Sequence, residues 1–373
     1  MSEFRPESLA RTAVRELEPY SSARSEGLDA AIYLDANESP YQPDLAVPSE
    51  VVSSDIQRYP EPQPRSLVAA FSELYGVPGA GIFIGRGTDD AIDALLRTFC
   101  EAGRDRIAVC SPTYGMYRVS AGIQGAGVID VPLLAEGGYQ LDLPALIAAA
   151  RDAKVVFVCS PNNPTGQVIA RADIAQLCAQ VPGLVVVDEA YIDFCPDKSV
   201  VDMLADQRNL VVLRTLSKAW ALAGARCGVA LGDPAVIDLL HRVRAPYPLS
   251  RPAIALVERA LTPAGRAACE SRVAQLIAAR TELAAALAEV PGAIRVFPSD
   301  SNFVLVEVDD PAAWMARCRA AGILIRDRSR AVPGCVRITV GSPEQNRAVL
   351  AALAGASLAR SNGPRATRSG GER

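Results

Sequence analysis

Four strand-like runs of this 373-residue chain end in residue types that could do chemistry. LVVLR (210–214) leads into ThrLeuSerLys (215–218), LVVVD (184–188) into AspGluAlaTyr (188–191), KVVFVC (154–159) into SerProAsnAsnProThrGly (160–166), and GIFIG (81–85) into ArgGlyThrAspAsp (86–90), which opens a helix. A lysine at a strand end offers an amine for nucleophilic attack or proton transfer once its surroundings lower its pKa. Lys218 is one of three lysines, with Lys154 and Lys198, among 38 basic residues. Codon bias toward arginine explains that scarcity equally well, so Lys218 gains weight only from its neighbours. Taken alone, NPTG could be a tight loop and the acidic pair at 188–189 a metal-binding carboxylate of a nucleotide site. Such a site needs GxxxxGK[ST] or GxGxxG, and both are missing. The single histidine, His241 in LLHRVRAP, rules out a multi-histidine metal centre and reads as a surface or core residue of a helix.

The elements that must position these residues follow from hydrophobic period. Seven short apolar runs, the four above with RIAVC (106–110), GVIDV (127–131) and CGVAL (227–231), alternate with helical patterns at 89–103 and 171–181. That alternation predicts an α/β domain around a seven-stranded, mostly parallel sheet. Ligands of such sheets sit beyond the carboxyl ends of the strands, where the residues above lie. After residue 245 the texture changes to an alanine- and leucine-rich helical stretch (252–289), then IRVF (294–297), FVLVEV (303–308), ILIR (323–326) and VRITV (336–340). This predicts a smaller α+β C-terminal domain. The expected organisation is an N-terminal segment (1–34) packing on the small domain or a partner subunit, a large domain (35–245), the small domain (246–356) and a disordered Arg/Ser/Gly-rich tail (357–373).

Composition limits the partners. Half the residues are hydrophobic, 21% are charged, and the net charge is -4 with a pI near 5.4. No general attraction to nucleic acid or anionic membranes is expected, and no apolar run is long enough to span a bilayer. The nine cysteines never form CxxC, so they read as buried thiols of a reducing, cytoplasmic protein.

The ordered motifs resemble the aspartate-aminotransferase-like superfamily of pyridoxal-phosphate enzymes, fold type I. The superfamily frame is NPTG (163–166), DEAY (188–191), LSK (216–218) and Arg226. Within it, EPY (18–20), LDANESP (34–40), RYPEPQP (58–64), GRGTDDAID (85–93), PTYGMY (112–117), RTLSKAWALAGARCG (214–228) and VRITVG (336–341) are similar to the histidinol-phosphate aminotransferase family. The resemblance implies a pyridoxal 5'-phosphate cofactor carried by Lys218 as a Schiff base. Asp188 would hold the pyridine nitrogen protonated, Asn163 and Tyr191 would bond the phenolic oxygen, and Tyr114 would stack on the ring. Thr88, Asp89, Ser217 and Arg226 would cup the phosphate, with Tyr59 reaching it from the other subunit of a homodimer. Arg337 would take an α-carboxylate, while Tyr20, Asn37 and Arg326 would line the substrate pocket. The implied substrates are histidinol phosphate and glutamate or 2-oxoglutarate. Trp220 stands where phenylalanine is expected and Asp35 where asparagine is frequent.

Three other readings compete: an aminotransferase for aromatic amino acids, a threonine-phosphate decarboxylase of the same fold, and a catalytically silent α/β binding protein. The presence of Lys218, Asp188 and Arg226 together disfavours the last.

Overall fold

The computed structural model describes residues 11–17, 29–43 and 56–355. Among these the strands, numbered in chain order, are β1 (Ile32–Tyr33), β2 (Ile82–Gly85), β3 (Arg106–Val109), β4 (Gly127–Asp130), β5 (Val155–Cys159), β6 (Leu184–Asp188), β7 (Leu210–Thr215), β8 (Gly228–Gly232), β9 (Ala293–Val296), β10 (Phe303–Val308), β11 (Ile323–Leu324), β12 (Arg326–Asp327) and β13 (Cys335–Thr339).

The seven apolar runs form one sheet in the order β2-β8-β7-β6-β5-β3-β4. Neighbours from β7 across to β4 are parallel, whereas β8 runs antiparallel to both β7 and β2. Both faces are covered, which is why the strands read as unbroken apolar runs. Val155 and Phe157 of β5 enter one core with the helices Thr88–Phe99, Met116–Gln124 and Pro234–Val243. Val156 and Val158 enter a second core with Leu146, Ile174 and Leu177 from helices on the opposite face. Each fully buried Val, Leu or Phe contributes roughly 1.5–3 kcal/mol. Packing therefore outweighs the exposed ion pairs, worth about 0–1 kcal/mol each, in holding the strand ends still.

A second, antiparallel sheet has the order β12-β13-β10-β9, and β1 pairs in parallel with β11. The chain after β1 stays with this layer: Leu34 N–H bonds Leu324 O at 2.8 Å, and Thr339 N–H bonds Leu34 O at 2.9 Å. The junction expected between residues 34 and 35 thus runs through a segment stitched to the small layer.

Two elements differ from expectation. The helical stretch 252–289 is two helices, Arg251–Ala260 and Pro263–Ala288, because the Thr262 hydroxyl caps the second by accepting from Gly265 N–H at 3.2 Å and Pro263 suits its first turn. ILIR divides between two sheets, Ile323–Leu324 pairing with β1 and Arg326–Asp327 with β13. A period of two cannot reveal such a change of partner. Of the described parts of the N-terminal segment, the helix Thr12–Arg15 packs on the large layer's helix Met116–Gln124, whereas residues 32–34 pair with the small layer. Tyr20 and the tail 357–373 lie outside the described residues.

Candidate active site

Because β2, β3, β5, β6 and β7 are parallel, their exits share one edge of the sheet, and antiparallel β8 begins at that edge. The order of strand addition reverses between β3 and β5, where a ligand crevice is expected. A cavity of about 330 Å³ opens there. Nine residues singled out from sequence line it: Thr88, Asp89, Tyr114, Asn163, Asp188, Tyr191, Ser217, Lys218 and Arg226.

Lys218 stands three residues beyond β7, and its Nζ donates to Ala36 O at 3.0 Å. Burial, with the Arg337 cation nearby, pushes its amine down to about 8, against the opposing pull of Glu38 and Asp89. An amine so placed is a nucleophile and proton carrier near neutral pH. Asp188 closes β6 and is 2% exposed. Burial pushes its carboxyl up to about 6, although Tyr117 and the Ala190 N–H both bond it. A buried carboxylate of this kind demands a cationic or N–H partner from whatever fills the cavity.

The Tyr191 hydroxyl accepts from Asn37 Nδ2 at 3.0 Å and from Asn163 Nδ2 at 3.3 Å, which leaves its own proton to donate elsewhere. Arg337 lies behind them. Its guanidinium donates to Asn163 Oδ1 and to Asp35 O, each at 2.6 Å, over the Phe303 ring. Asn37 takes a left-handed backbone, φ 55°, and its N–H bonds Thr339 Oγ1 at 3.0 Å.

At the other end of the cavity Gly87, φ 86°, opens the helix Thr88–Phe99 without a side-chain cap. The first N–H groups of that helix have no partner within it and carry the positive end of its dipole. Arg226 stands across from them, 3.6 Å from Asp89, whose other oxygen accepts from the Tyr114 hydroxyl at 3.0 Å. Gly228 permits this arrangement: a Cβ there would lie 2.7 Å from both Gly87 C and Thr88 N. Gly228→Ala is expected to displace the helix start and weaken cofactor binding about ten- to hundredfold, the result of roughly 1–3 kcal/mol of overpacking. The dissociation constant measured by cofactor absorbance checks this; unchanged affinity would show the close approach to be dispensable.

The remaining expectations fare differently. Asn37 and Arg337 do not line the cavity but support Tyr191 and Asn163 from behind. Arg326 does not line it either. It borders a second cavity of about 460 Å³ with Asp35, Arg319 and Arg330, because β12 is an edge strand facing the helix Pro311–Ala320. Tyr59 is 77% exposed and stacks on Tyr247 with centroids 4.3 Å apart, away from this chain's own cavity. Trp220 is buried outside the cavity lining. Sequence reading missed Tyr117, whose hydroxyl donates to Asp188 Oδ2 at 2.8 Å, and the cavity-lining Glu38, Cys159 and Thr215. Tyr117 lies inside the PTYGMY motif, yet nothing in that motif says which tyrosine meets the carboxylate.

The cavity's donor set fits pyridoxal phosphate: an anion cup at one end, a buried carboxylate for a ring N–H, paired donors for a phenolic oxygen, and a neutralisable amine between them. Fold and site define a fold type I pyridoxal-phosphate transferase, and the chain belongs to the aminotransferase class I and II family, whose sequence model matches residues 27–353. Within it, the chain belongs with the histidinol-phosphate aminotransferases. It is 45% identical to that of Cronobacter sakazakii over 93% of this chain and 96% of the relative, and 44% identical to that of Escherichia coli over 92% and 96%. The crystal structure of histidinol-phosphate aminotransferase from Sinorhizobium meliloti in complex with pyridoxal-5'-phosphate superposes with a TM-score of 0.82 at 26% identity, covering 95% of this chain and 98% of that one.

Proposed function

We propose that the protein transfers an amino group reversibly between L-histidinol phosphate and 2-oxoglutarate, giving imidazole acetol phosphate and L-glutamate, as a step of histidine biosynthesis. The carrying observation is the single cavity in which the Lys218 amine, the Asp188 carboxylate and the Arg226 guanidinium converge. Bound there, pyridoxal phosphate supplies a carbonyl carbon for the amine and a ring that accepts the electron pair left when the substrate's C–H bond breaks.

The chain's own groups do the rest. With the cofactor bound, the Lys218 amine would carry the proton removed from the substrate carbon. Asp188 would keep the ring nitrogen protonated, and Asn163 with Tyr191 would bond the ring oxygen. Thr88 and Asp89 N–H groups, Ser217 and Arg226 hold the phosphate. Tyr114 borders the ring face, its hydroxyl anchored on Asp89.

For substrate choice, we assign Arg337 to an α-carboxylate and Arg326 to a substrate phosphate, with Asn37 steadying Tyr191 from behind. The two arginines are register partners across β12 and β13. A guanidinium fork takes carboxylate or phosphate by paired charge-assisted bonds. Arg326→Ala is expected to lower kcat/KM for histidinol phosphate about ten- to hundredfold and to spare glutamate, whereas Arg337→Ala lowers it for glutamate at least as much. Equal losses for both substrates in Arg326→Ala would refute that division.

The same reading includes a homodimer in which Tyr59 completes the partner's phosphate cup. An exposed aromatic pair such as Tyr59 on Tyr247 is a surface that a second subunit would cover. Mixing inactive Tyr59→Phe and Lys218→Ala proteins is expected to restore activity through hybrid dimers. A monomer with full activity would defeat it.

The test of the function as a whole is transamination across a substrate panel. Histidinol phosphate is expected to outperform aromatic amino acids, and threonine phosphate to release no carbon dioxide. The opposite outcome on either count would move the activity to a neighbouring family.

A further inference from the structure

Asp188 carries two protein hydrogen bonds of different kinds. Oδ1 accepts the Ala190 N–H at 3.1 Å, a bond local to the strand end, and Oδ2 accepts the Tyr117 hydroxyl at 2.8 Å from a helix 71 residues away in sequence. Tyr117 has little freedom to do anything else. It is fully buried, its ring stacks on Phe157 with centroids 4.7 Å apart and planes within 10°, and the Tyr114 ring meets it edge-on at 5.6 Å. Burial and the adjoining carboxylate hold the Tyr117 phenol far above its usual range, so it remains a donor.

The other ionisable groups facing Asp188 cannot take over this task. Glu189 turns away to pair with Arg214 at 2.8 Å, and Asp89 is held by Tyr114 and Arg226. Cys159 is a buried thiol raised well above its ordinary value by burial, and the Tyr191 hydroxyl is engaged by Asn37 and Asn163. Within the described residues Tyr117 is the side-chain donor that offsets the cost of an ionised Asp188.

We infer that Tyr117 is the positioning residue of Asp188: its hydroxyl holds the carboxylate ionised and in one plane, and thereby sets how firmly the cofactor's ring nitrogen keeps its proton. Without that hydroxyl the carboxylate is more basic and draws the shared proton toward itself. The ring then withdraws fewer electrons, and the nitrogen that Lys218 contributes becomes more basic. This inference rests on the cofactor assignment under Proposed function.

The test uses the cofactor-loaded protein without substrate, reading cofactor affinity and the pH midpoint of the bound cofactor's absorbance. Tyr117→Phe keeps the ring and its stacking. It is expected to weaken cofactor binding about ten- to hundredfold and to raise the midpoint by about one pH unit, the effect of one hydrogen bond to a charged group. In turnover, kcat falls while KM for histidinol phosphate changes little. Phe157→Leu disturbs the same packing without touching the hydroxyl and is expected to lower stability while leaving the midpoint in place. Adding Tyr117→Phe to Asp188→Asn is expected to move the midpoint no further.

An unchanged midpoint in Tyr117→Phe, an equal shift in Phe157→Leu, or a further shift in the double variant would each overturn the inference. Failure of the unsubstituted protein to bind the cofactor at all would instead remove the cofactor assignment, and this inference with it.

Discussion

Replacing Lys218 by alanine is expected to leave a folded protein whose amino-transfer rate falls by about 10⁴ or more, since the residue is proposed both to anchor the cofactor and to move the substrate proton. The fold survives because Lys218 stabilises little. In the cofactor-free protein its pKa is about 8 against an ordinary 10.5, so the unfolded chain binds more protons between those values. Stability therefore rises as pH climbs through that window, and below about pH 8 the buried cation is a burden. Lys218→Ala removes the burden: at pH 7 the cofactor-free variant is expected to melt no lower than the native protein, and its stability loses the rise between pH 8 and 10. Single-turnover assays and melting curves at pH 7 and 10 check both halves. Retention of near-native turnover without added amine would mean that another group carries the chemistry.

Asp188→Asn is expected to lower kcat by about two to three orders of magnitude, the scale of breaking a buried charge pair at roughly 3–4 kcal/mol. The geometry is kept, because the Tyr117 hydroxyl can turn and accept from the new amide, and the Ala190 N–H still finds an oxygen. What disappears is the negative charge. The pH signature has the opposite sign to that of lysine. With the folded pKa raised from 3.8 to about 6 by burial, the cofactor-free native state holds a proton that the unfolded chain has released. The Asp188 contribution is present below about pH 4 and lost as pH rises through 6. Asp188→Asn should flatten that segment of the stability curve. A variant whose turnover stays within threefold of native would disconnect the carboxylate from the electron sink.

Much of this was legible in sequence because strand ends carry the chemistry. LVVVD and FVLVEV coincide with β6 and β10, since short valine-rich runs buried on both faces admit little else. Asp188, Asn163, Tyr191 and Lys218 follow such ends and were found with them. Residues that reach the site from a helix side or from the small layer were harder. Tyr117 lies in the first turn of the helix Met116–Gln124, and its meeting with Asp188 depends on how that helix crosses β5. The side-chain direction of Arg326 depends on which sheet claims it, and ILIR does not say. Thr262 and Pro263 carry the cap signal of a helix start, and reading the alanine-rich window as one stretch passed over it.

The antiparallel course of β8 has a consequence for how the site is dimensioned. Since β7 ends at the ligand edge and β8 starts from it, a single loop joins Thr215 to Gly228 and carries both Lys218 and Arg226. Its ends are tied by Leu216 N–H to Cys227 O at 3.1 Å, and its middle by Leu222 N–H to Leu216 O at 3.0 Å. The proposed covalent anchor and anion clamp are thus two marks on one gauge, and the span between them is set within that loop rather than by docking separate segments. Arg337 lies on β13 of the other layer, so the residues proposed for substrate choice and for cofactor grip rest on separate segments and can change independently over generations. An insertion anywhere between residues 218 and 226 would lengthen the gauge itself and cost the grip first.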